Sequence, residues 1–357
     1  MILADLDREL AARIAVLVAD GTLPRQALGI APGRTWRPAP DGDPASFATS
    51  VTFELAALSD CEPADIAAQL AAPLAQLPWV ALAEPAGTGY LTIAVTAVAL
   101  GHAAARLAAA GPTAGQSTIL ASTTAAVPPW PNLAAAADWR HAWRDHAAAV
   151  TGRLAAHAGA EVTAIMGGER GASAADAVGT QRSAVAAAVA WYGVPSIRYS
   201  LARTAPGQVA RLGLVPRPGA SGVDPLYPVR QAYKSAMSVQ RWAADLGLAA
   251  DDLVEHAGDL LCSPAERKLL GLLPWFPVRV AMAARRRRPD ELPGYLEAVG
   301  AAWRTVGQLA PALPFGGRAA AADPATRAAR LVLARAVHAV LAAGLALTGA
   351  SPCTGDD

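Results

Sequence analysis

Lysine is nearly missing from this sequence: only Lys234 and Lys268 occur among 30 basic residues. Cysteine is scarce as well. Cys61, Cys262 and Cys353 lie far apart and form no CxxC pair, which excludes a disulfide framework or a zinc cluster and fits a reducing cytoplasm. Charged residues make up 17% against 53% hydrophobic, which excludes an intrinsically disordered chain and leaves apolar surface for sizeable cores. A net charge of +1 excludes a uniformly basic nucleic-acid coat. Asp5, Asp7 and Glu9 interrupt the apolar residues at the start, so no signal peptide is expected. The most membrane-like stretch, Leu331 to Ala350, carries Arg335 and His338 and reads as a buried helix, so a membrane partner is not expected.

What is plentiful is alanine, the best helix former, at roughly a quarter of the 357 residues. Aromatics are only 5%, yet nine of them are tryptophan. The near-zero net charge divides unevenly along the chain. Residues 1–111 carry a net of −5, residues 112–190 a net of 0, and residues 191–357 a net of +6. Such an asymmetry either places a polyanionic partner on the C-terminal part or lets two oppositely charged surfaces dock on each other.

Periodicity gives a first helix through Leu3, Leu6, Leu10, Ile14 and Leu17, stopped at Gly21, and a short strand around Thr35–Arg37. A second helix is expected over Phe47 to Leu58 and a third from Pro63 to Leu77. Gly87-Thr88-Gly89 reads as a turn before a strand over Tyr90–Val95, and a helix over Ala97 to Ala109 follows. The middle carries an Ala-rich helix from Leu133 to His157 and a glycine loop at Gly167–Gly171. From Ile197 onward the pattern is helical apart from Gly213 to Pro228. Helices are expected at Ile197–Thr204, Val229–Leu246, Pro264–Leu273, Pro277–Arg287, Leu292–Leu309 and Pro324–Thr348. Asp323, Pro324 and Gly349 supply the cap, first turn and stop of the last one. The fold class is therefore α+β: a small α+β N-terminal domain, a reduced and mainly helical middle segment, and an all-α bundle at the C-terminus.

Most catalytic signatures are missing. No Walker sequence occurs, no GxGxxG follows a strand, no HExxH is present, and no G-x-S-x-G elbow anchors a hydrolase triad. His141 and His146 sit five apart, which does not place them on one helical face, so no metal is expected. Trp139 and Trp143, at i,i+4, read as core or interface.

Two basic features remain. Arg285-Arg286-Arg287-Arg288 before Pro289 is the densest positive charge; it is either a helix C-terminus complementing its dipole or a phosphate contact from a helix end. On the last helix Arg327, Arg330, Arg335 and His338 share a roughly 140° arc at 100° per residue. Val332, Leu333 and Val340 lie opposite, and Leu331 intrudes on the polar side.

Segments at both ends resemble arginyl-tRNA synthetase. Pro44-Ala45-Ser46-Phe47-Ala48-Thr49-Ser50-Val51 is similar to the family's F-G-D-Y-A-T-N-V stretch, and Glu84 to Ile93 resembles its E-I-A-G-P-G-F-I-N-I. Val194 to Arg203 looks like V-D-A-L-R-Y-S-L-A-R, Asp224 to Val229 echoes N-P-V-Y-Y-V, and the region to Gly349 resembles the helical anticodon-binding domain. The resemblance implies three divisions: residues 1–111 like the synthetase's N-terminal additional domain, 112–193 a shrunken remnant of the catalytic core or a linker, and 194–357 like its DALR-type anticodon-binding domain.

The family's Rossmann catalytic domain has no room here, since only about 80 residues separate Gly111 from Val194. No H-x-G-H occurs, because His102 is followed by Ala103-Ala104-Ala105. The second signature survives at most as Met166 to Gly171, without its lysine. No catalytic residue and no cofactor are therefore expected, and arginine–tRNA ligase activity is not. The resemblance implies binding of tRNA, with arginine tRNA the first candidate, in a regulatory or delivery role in the cytoplasm. Phe47 would stack on a base of the tRNA corner, beside Thr49 and Ser50 of the same motif, where Ser50 replaces the family's asparagine. Tyr233 would stack in the helical domain, and Arg285, Arg286, Arg287, Arg288, Arg327, Arg330 and Arg335 would meet phosphates. The alternatives are a protein-interaction module partnering the authentic synthetase, and a residual ligase completed by another chain.

Overall fold

The computed structural model describes residues 2–32, 35–40, 42–163, 183–208, 224–248, 257–313 and 323–350. The expected glycine loop at Gly167–Gly171, the connection up to residue 223 and Cys353 lie outside these residues. The fold is α+β. Its N-terminal part runs α1 (Ile2–Ala19), β1 (Trp36–Pro38), β2 (Ser46–Thr49), α2 (Val51–Ala56), α3 (Pro63–Leu74), β3 (Val80–Ala86), β4 (Tyr90–Val95) and α4 (Ala97–Ala110). Next come β5 (Thr124–Ala126), α5 (Trp139–His157), β6 (Glu161–Thr163), α6 (Ala184–Tyr192) and α7 (Val194–Arg203). The remainder is helical: α8 (Leu226–Asp245), α9 (Ala257–Leu260), α10 (Pro264–Leu272), α11 (Phe276–Arg286), α12 (Glu291–Leu309) and α13 (Pro324–Leu347).

The chain divides into two compact units. One comprises Met1–Ala109, Val239–Trp275 and Thr305–Ala336; the other comprises Ala110–Ser238, Phe276–Arg304 and Val337–Asp357.

In the first unit an antiparallel sheet runs in the order β1-β2-β4-β3, and α3 packs against β3 and β4. Leu6, Leu10 and Ile14 of α1, Ile66, Leu70 and Leu74 of α3, and Leu91 and Ile93 of β4 are all buried in its core. The β3–β4 turn needs its glycines. Gly89 adopts φ +129°, and a Cβ there would stand 2.5 Å from Cβ of Pro63, which opens α3. The expected helix over Phe47 to Leu58 is corrected at its start: Ser46–Thr49 is a strand, and only Val51–Ala56 is helical. Phe47 pairs with Pro38 on one side and Ile93 on the other, so sheet pairing overrides the helical spacing of Phe47, Val51 and Leu55.

Asp7 of α1 accepts a hydrogen bond from the Trp36 indole N–H. Burial pushes its carboxyl up from 3.8 to about 6, against the smaller downward pull of that hydrogen bond. The folded state then holds this proton more tightly than the unfolded chain. The group's contribution is fully present below pH 4 and is lost as pH rises through about 6. Asp7→Asn keeps an acceptor for Trp36 and removes the buried charge. It is expected to flatten the pH dependence of melting between pH 4 and 6. At neutral pH it should stabilise the fold by up to about 3 kcal/mol.

In the second unit β5 and β6 pair in parallel, Thr124 opposite Glu161 through Ala126 opposite Thr163, with α5 in the crossover between them. This is a βαβ unit with strands of three residues each. Leu133, Ala142, Val185, Ile197 and Leu201 form a core against which Trp139 and Trp143 pack, and the Trp143 indole donates to the Thr204 carbonyl at 2.9 Å. The i,i+4 tryptophans are half-buried against this core, within the core-or-interface reading of their spacing. Tyr199 of α7 is buried, and its hydroxyl donates to the Pro293 carbonyl at 3.2 Å.

Helix α13 begins as its sequence indicates. Asp323 accepts from the backbone N–H of Ala325 and Thr326 at 3.0 and 3.1 Å, satisfying donors that the first turn leaves open. It is long and apolar enough to cross a membrane, but 72% of its most apolar window is buried within the chain. Burial of that extent marks a core helix.

Candidate nucleic-acid interface

Arg285 to Arg288 sit where α11 ends, and all four are exposed. The helix closes by reversing: Arg287 adopts φ 53°, its N–H donates to the Ala284 carbonyl, and the Arg288 N–H donates to the Ala283 carbonyl. This pair of bonds satisfies carbonyls of the last turn, and Pro289 prevents the helix from continuing. The arginines are partly neutralised. Arg286 meets Glu291 at 3.3 Å, and Arg288 meets Asp290 through two bonds of 2.8 and 2.7 Å, which raise the Arg288 pKa. Among the described residues Arg287 forms no ion pair. A left-handed backbone strains every side chain except glycine by roughly 1 kcal/mol. Arg287→Gly is therefore expected to raise the melting temperature by a few degrees, a shift that thermal melting reads directly.

The arginines of α13 are placed differently. Arg330 donates through Nε to Glu266 at 2.7 Å and through Nη1 to the Pro311 carbonyl at 3.1 Å; the Glu266 side chain is only 1% exposed. Arg327 and Arg335 are half-buried and interact with other groups of the chain. The residues between Ala328 and Leu345 are otherwise mostly buried, Val332 and Leu333 and also Leu331 and Ala334. The expected arginine face of this helix is corrected in one respect: Arg330 is spent on an internal pair. Its acid partner lies 64 residues earlier, beyond the reach of helical periodicity.

The expected stacking aromatics also point inward. Phe47 is fully buried, with its ring 5.4 Å from that of Trp275. Tyr233 is 7% exposed and stacks on His338 at 4.7 Å. Neither ring offers a free face to a base, because each already packs against an aromatic partner. Thr49 is buried, hydrogen-bonds the Thr35 hydroxyl and accepts from the Val51 N–H at 3.2 Å. Ser50 occupies the N-cap position of α2, half-buried, and caps no backbone N–H. This motif thus holds a strand-to-helix corner together.

Exposed aromatics lie outside the residues that the sequence singles out. Trp242 of α8 is 50% exposed. The available signal was register: Tyr233, Ala236 and Ala243 are buried at helical spacing, and Trp242 falls one residue off that stripe. Among the described residues no group of three or more His, Cys, Asp or Glu could hold a metal ion.

Comparison with known proteins bears directly on this bundle. Residues 229–354 match the family model of the DALR anticodon binding domain. The chain is related to the arginyl-tRNA synthetases. It is 33% identical over 159 residues to the arginine–tRNA ligase of Clavibacter sepedonicus, covering 44% of this chain and 28% of that protein. The arginine–tRNA ligase of Anaeromyxobacter sp. (strain K) is 33% identical over 131 residues, 36% of this chain and 21% of that one. That of Renibacterium salmoninarum is 32% identical over 161 residues, 45% and 28%. The matches thus span about a quarter of the length of these curated relatives. Arg285 to Arg288, Arg327, Arg330, Arg335 and Tyr233 all fall inside the DALR match, whereas Phe47, Thr49 and Ser50 fall outside it.

Proposed function

We propose that this chain binds tRNA, arginine tRNA in the first instance, through its anticodon-binding-like helices, and serves a regulatory or delivery role in the cytoplasm without forming an aminoacyl adenylate. The observation that carries the proposal is the exposed four-arginine helix end lying inside the DALR match. Exposed guanidiniums contact phosphate with little desolvation and release counterions in doing so. The proposed divisions are 1–111, 112–193 and 194–357, with the middle one a remnant of the synthetase core.

The middle segment supports the non-catalytic part. A nucleotide crevice lies at the carboxyl ends of an open parallel sheet. The described residues of this segment supply two parallel strands of three residues each. Adenylate formation further needs positive groups fixed against pyrophosphate, and the sequence carries no H-x-G-H to place them. ATP–pyrophosphate exchange with arginine is expected to stay at background for the purified chain; arginine-dependent exchange would refute this part.

A second reading has its own support. In the first unit Trp242, Leu246 and Leu309 are 50, 59 and 72% exposed, and in the second Trp191 is 66% exposed; exposed large apolar side chains of this kind suit protein contacts. On that reading the chain partners the authentic synthetase. Pull-down with and without nuclease separates the two, because an RNA-bridged complex dissolves under nuclease and a direct one persists.

A further inference from the structure

A cationic cluster in the second unit lies apart in sequence from the four-arginine run. The guanidinium carbon of Arg153 sits 3.7 Å from the centre of the Trp130 ring, and that of Arg198 sits 5.1 Å from it. His146 stacks on the same indole at 5.4 Å; it is fully buried, and neither ring nitrogen meets a partner at hydrogen-bonding geometry. Among the described residues, neither arginine pairs with a carboxylate. Arg153 donates through Nη1 to the carbonyls of Pro128 and Ala149, at 2.8 and 2.9 Å. Arg198 reaches the Gly349 carbonyl through Nη1 at a long 3.5 Å, and its Nε is buried without a partner.

Backbone geometry fixes the cluster. Gly349 ends α13 with φ +73°, and a Cβ there would lie 2.9 Å from the Trp130 ring and 3.1 Å from Cδ of Arg198. The helix terminus therefore presses the indole and the guanidinium stem together, which only glycine allows.

Two half-buried guanidiniums on one indole normally bring a carboxylate with them, since like charges in a poorly solvated site disfavour each other. Here burial lowers the affinity of both for their protons, and for Arg153 the neighbouring Arg198 lowers it further. His146 is pushed down to about 3, by burial first and Arg198 second, outweighing the favourable nearby backbone of Arg198 and Thr348. It stays neutral and adds no charge of its own. Among the described residues the site holds positive charge, with backbone carbonyls but no carboxylate to accept from it. Both guanidiniums stand over the same indole in cation–π contact.

We propose that Arg153 and Arg198, held on Trp130, form a phosphate-binding site. A phosphate suits it better than a carboxylate, because its several oxygens can accept from two guanidiniums at once. The Arg198 guanidinium also reaches the C-terminal end of α13, but that contact engages only Nη1 and leaves the buried Nε without a partner. The phosphate comes either from an RNA backbone or from a free phosphate compound. The RNA source rests on the proposed function; the free source does not.

The test uses the full chain with two probes, tRNA and inorganic pyrophosphate, and compares the unmodified protein with Arg198→Gln and Arg198→Lys. If RNA supplies the phosphate, Arg198→Gln weakens tRNA binding about tenfold and lowers the slope of log affinity against log salt by about one, with Arg198→Lys in between. If a free compound supplies it, pyrophosphate binding weakens about tenfold instead, with tRNA binding unchanged. Should Arg198→Gln fail to fold, saturable movement of the Trp130 indole N–H resonance on adding either probe to the unmodified chain gives the same answer. Folded variants that bind both probes as the unmodified chain does, or an indole resonance that neither probe moves, would overturn the site. Loss of tRNA binding by the unmodified chain would instead refute the proposed function, and the pyrophosphate arm would still decide this one.

Discussion

Replacing Arg285, Arg286, Arg287 and Arg288 together by glutamine is expected to weaken tRNA binding about a hundredfold at moderate salt, without a comparable loss of stability. A phosphate contact is worth on the order of 1 kcal/mol once its exchange with water is counted. Four such contacts would reach about a thousandfold by that measure. The smaller figure follows because Arg286 and Arg288 already hold Glu291 and Asp290, and those bonds must be loosened before a phosphate is engaged. Among single substitutions Arg287→Gln should cost the most, since Arg287 forms no ion pair among the described residues. All four side chains are exposed, so helix α11 keeps its buried face of Phe276, Val278, Val280 and Ala283. Retention assays at two salt concentrations check the prediction, because the substituted chain should also show a shallower salt dependence.

Glu266→Ala carries the largest expected loss of stability, about 3–5 kcal/mol. Two contacts depend on this one carboxylate, and a third is made by the residue's backbone. Its Oε2 accepts from the Ser263 N–H at 3.0 Å and its own N–H donates to the Ser263 hydroxyl, closing a capping box at the start of α10. Its Oε1 accepts from Arg330 at 2.7 Å. The Arg330 side chain is 16% exposed, so removal of the acid leaves a poorly solvated cation behind. Most of the cost should lie in that stranded charge. The double variant Glu266→Ala with Arg330→Met is therefore expected to recover part of it, a non-additivity that a thermodynamic cycle measures directly. Arg330→Gln should lower the melting temperature and leave the salt dependence of tRNA binding unchanged.

The sequence carried the fold wherever local signals agreed. Asp323, Pro324 and Gly349 bound the last helix to within a residue or two, and Pro63 opens α3 as its place at a first helical position suggests. It misled at Phe47, whose spacing to Val51 and Leu55 looks helical while pairing with β1 and β4 makes a strand. β3 leaves no strand signal because Pro85 and alanines blunt its alternation, and β5 and β6 are too short to leave a pattern. Helix α6, nearly all alanine and valine, has no polar face to mark its period.

For the site, the arginine run at the end of α11 was legible because exposure follows from four consecutive charges. Which arginines of α13 remain available was not, since Glu266 reaches Arg330 from a distant helix. The inward turn of Phe47 and Tyr233 depends on Trp275 and His338 in the same way. The cluster at Trp130 joins residues 130, 146, 153, 198 and 349, a set that no spacing rule brings together.

The central claim is that a chain of near-zero net charge binds tRNA through a basic surface confined to its C-terminal part. Its most direct test is the affinity of the full chain for arginine tRNA, measured across salt beside an unrelated RNA of equal length. A linear fall of log affinity with log salt, with a slope of several units and tighter binding to the tRNA, is the predicted result. A flat salt response, or equal weak binding to both RNAs, would contradict it.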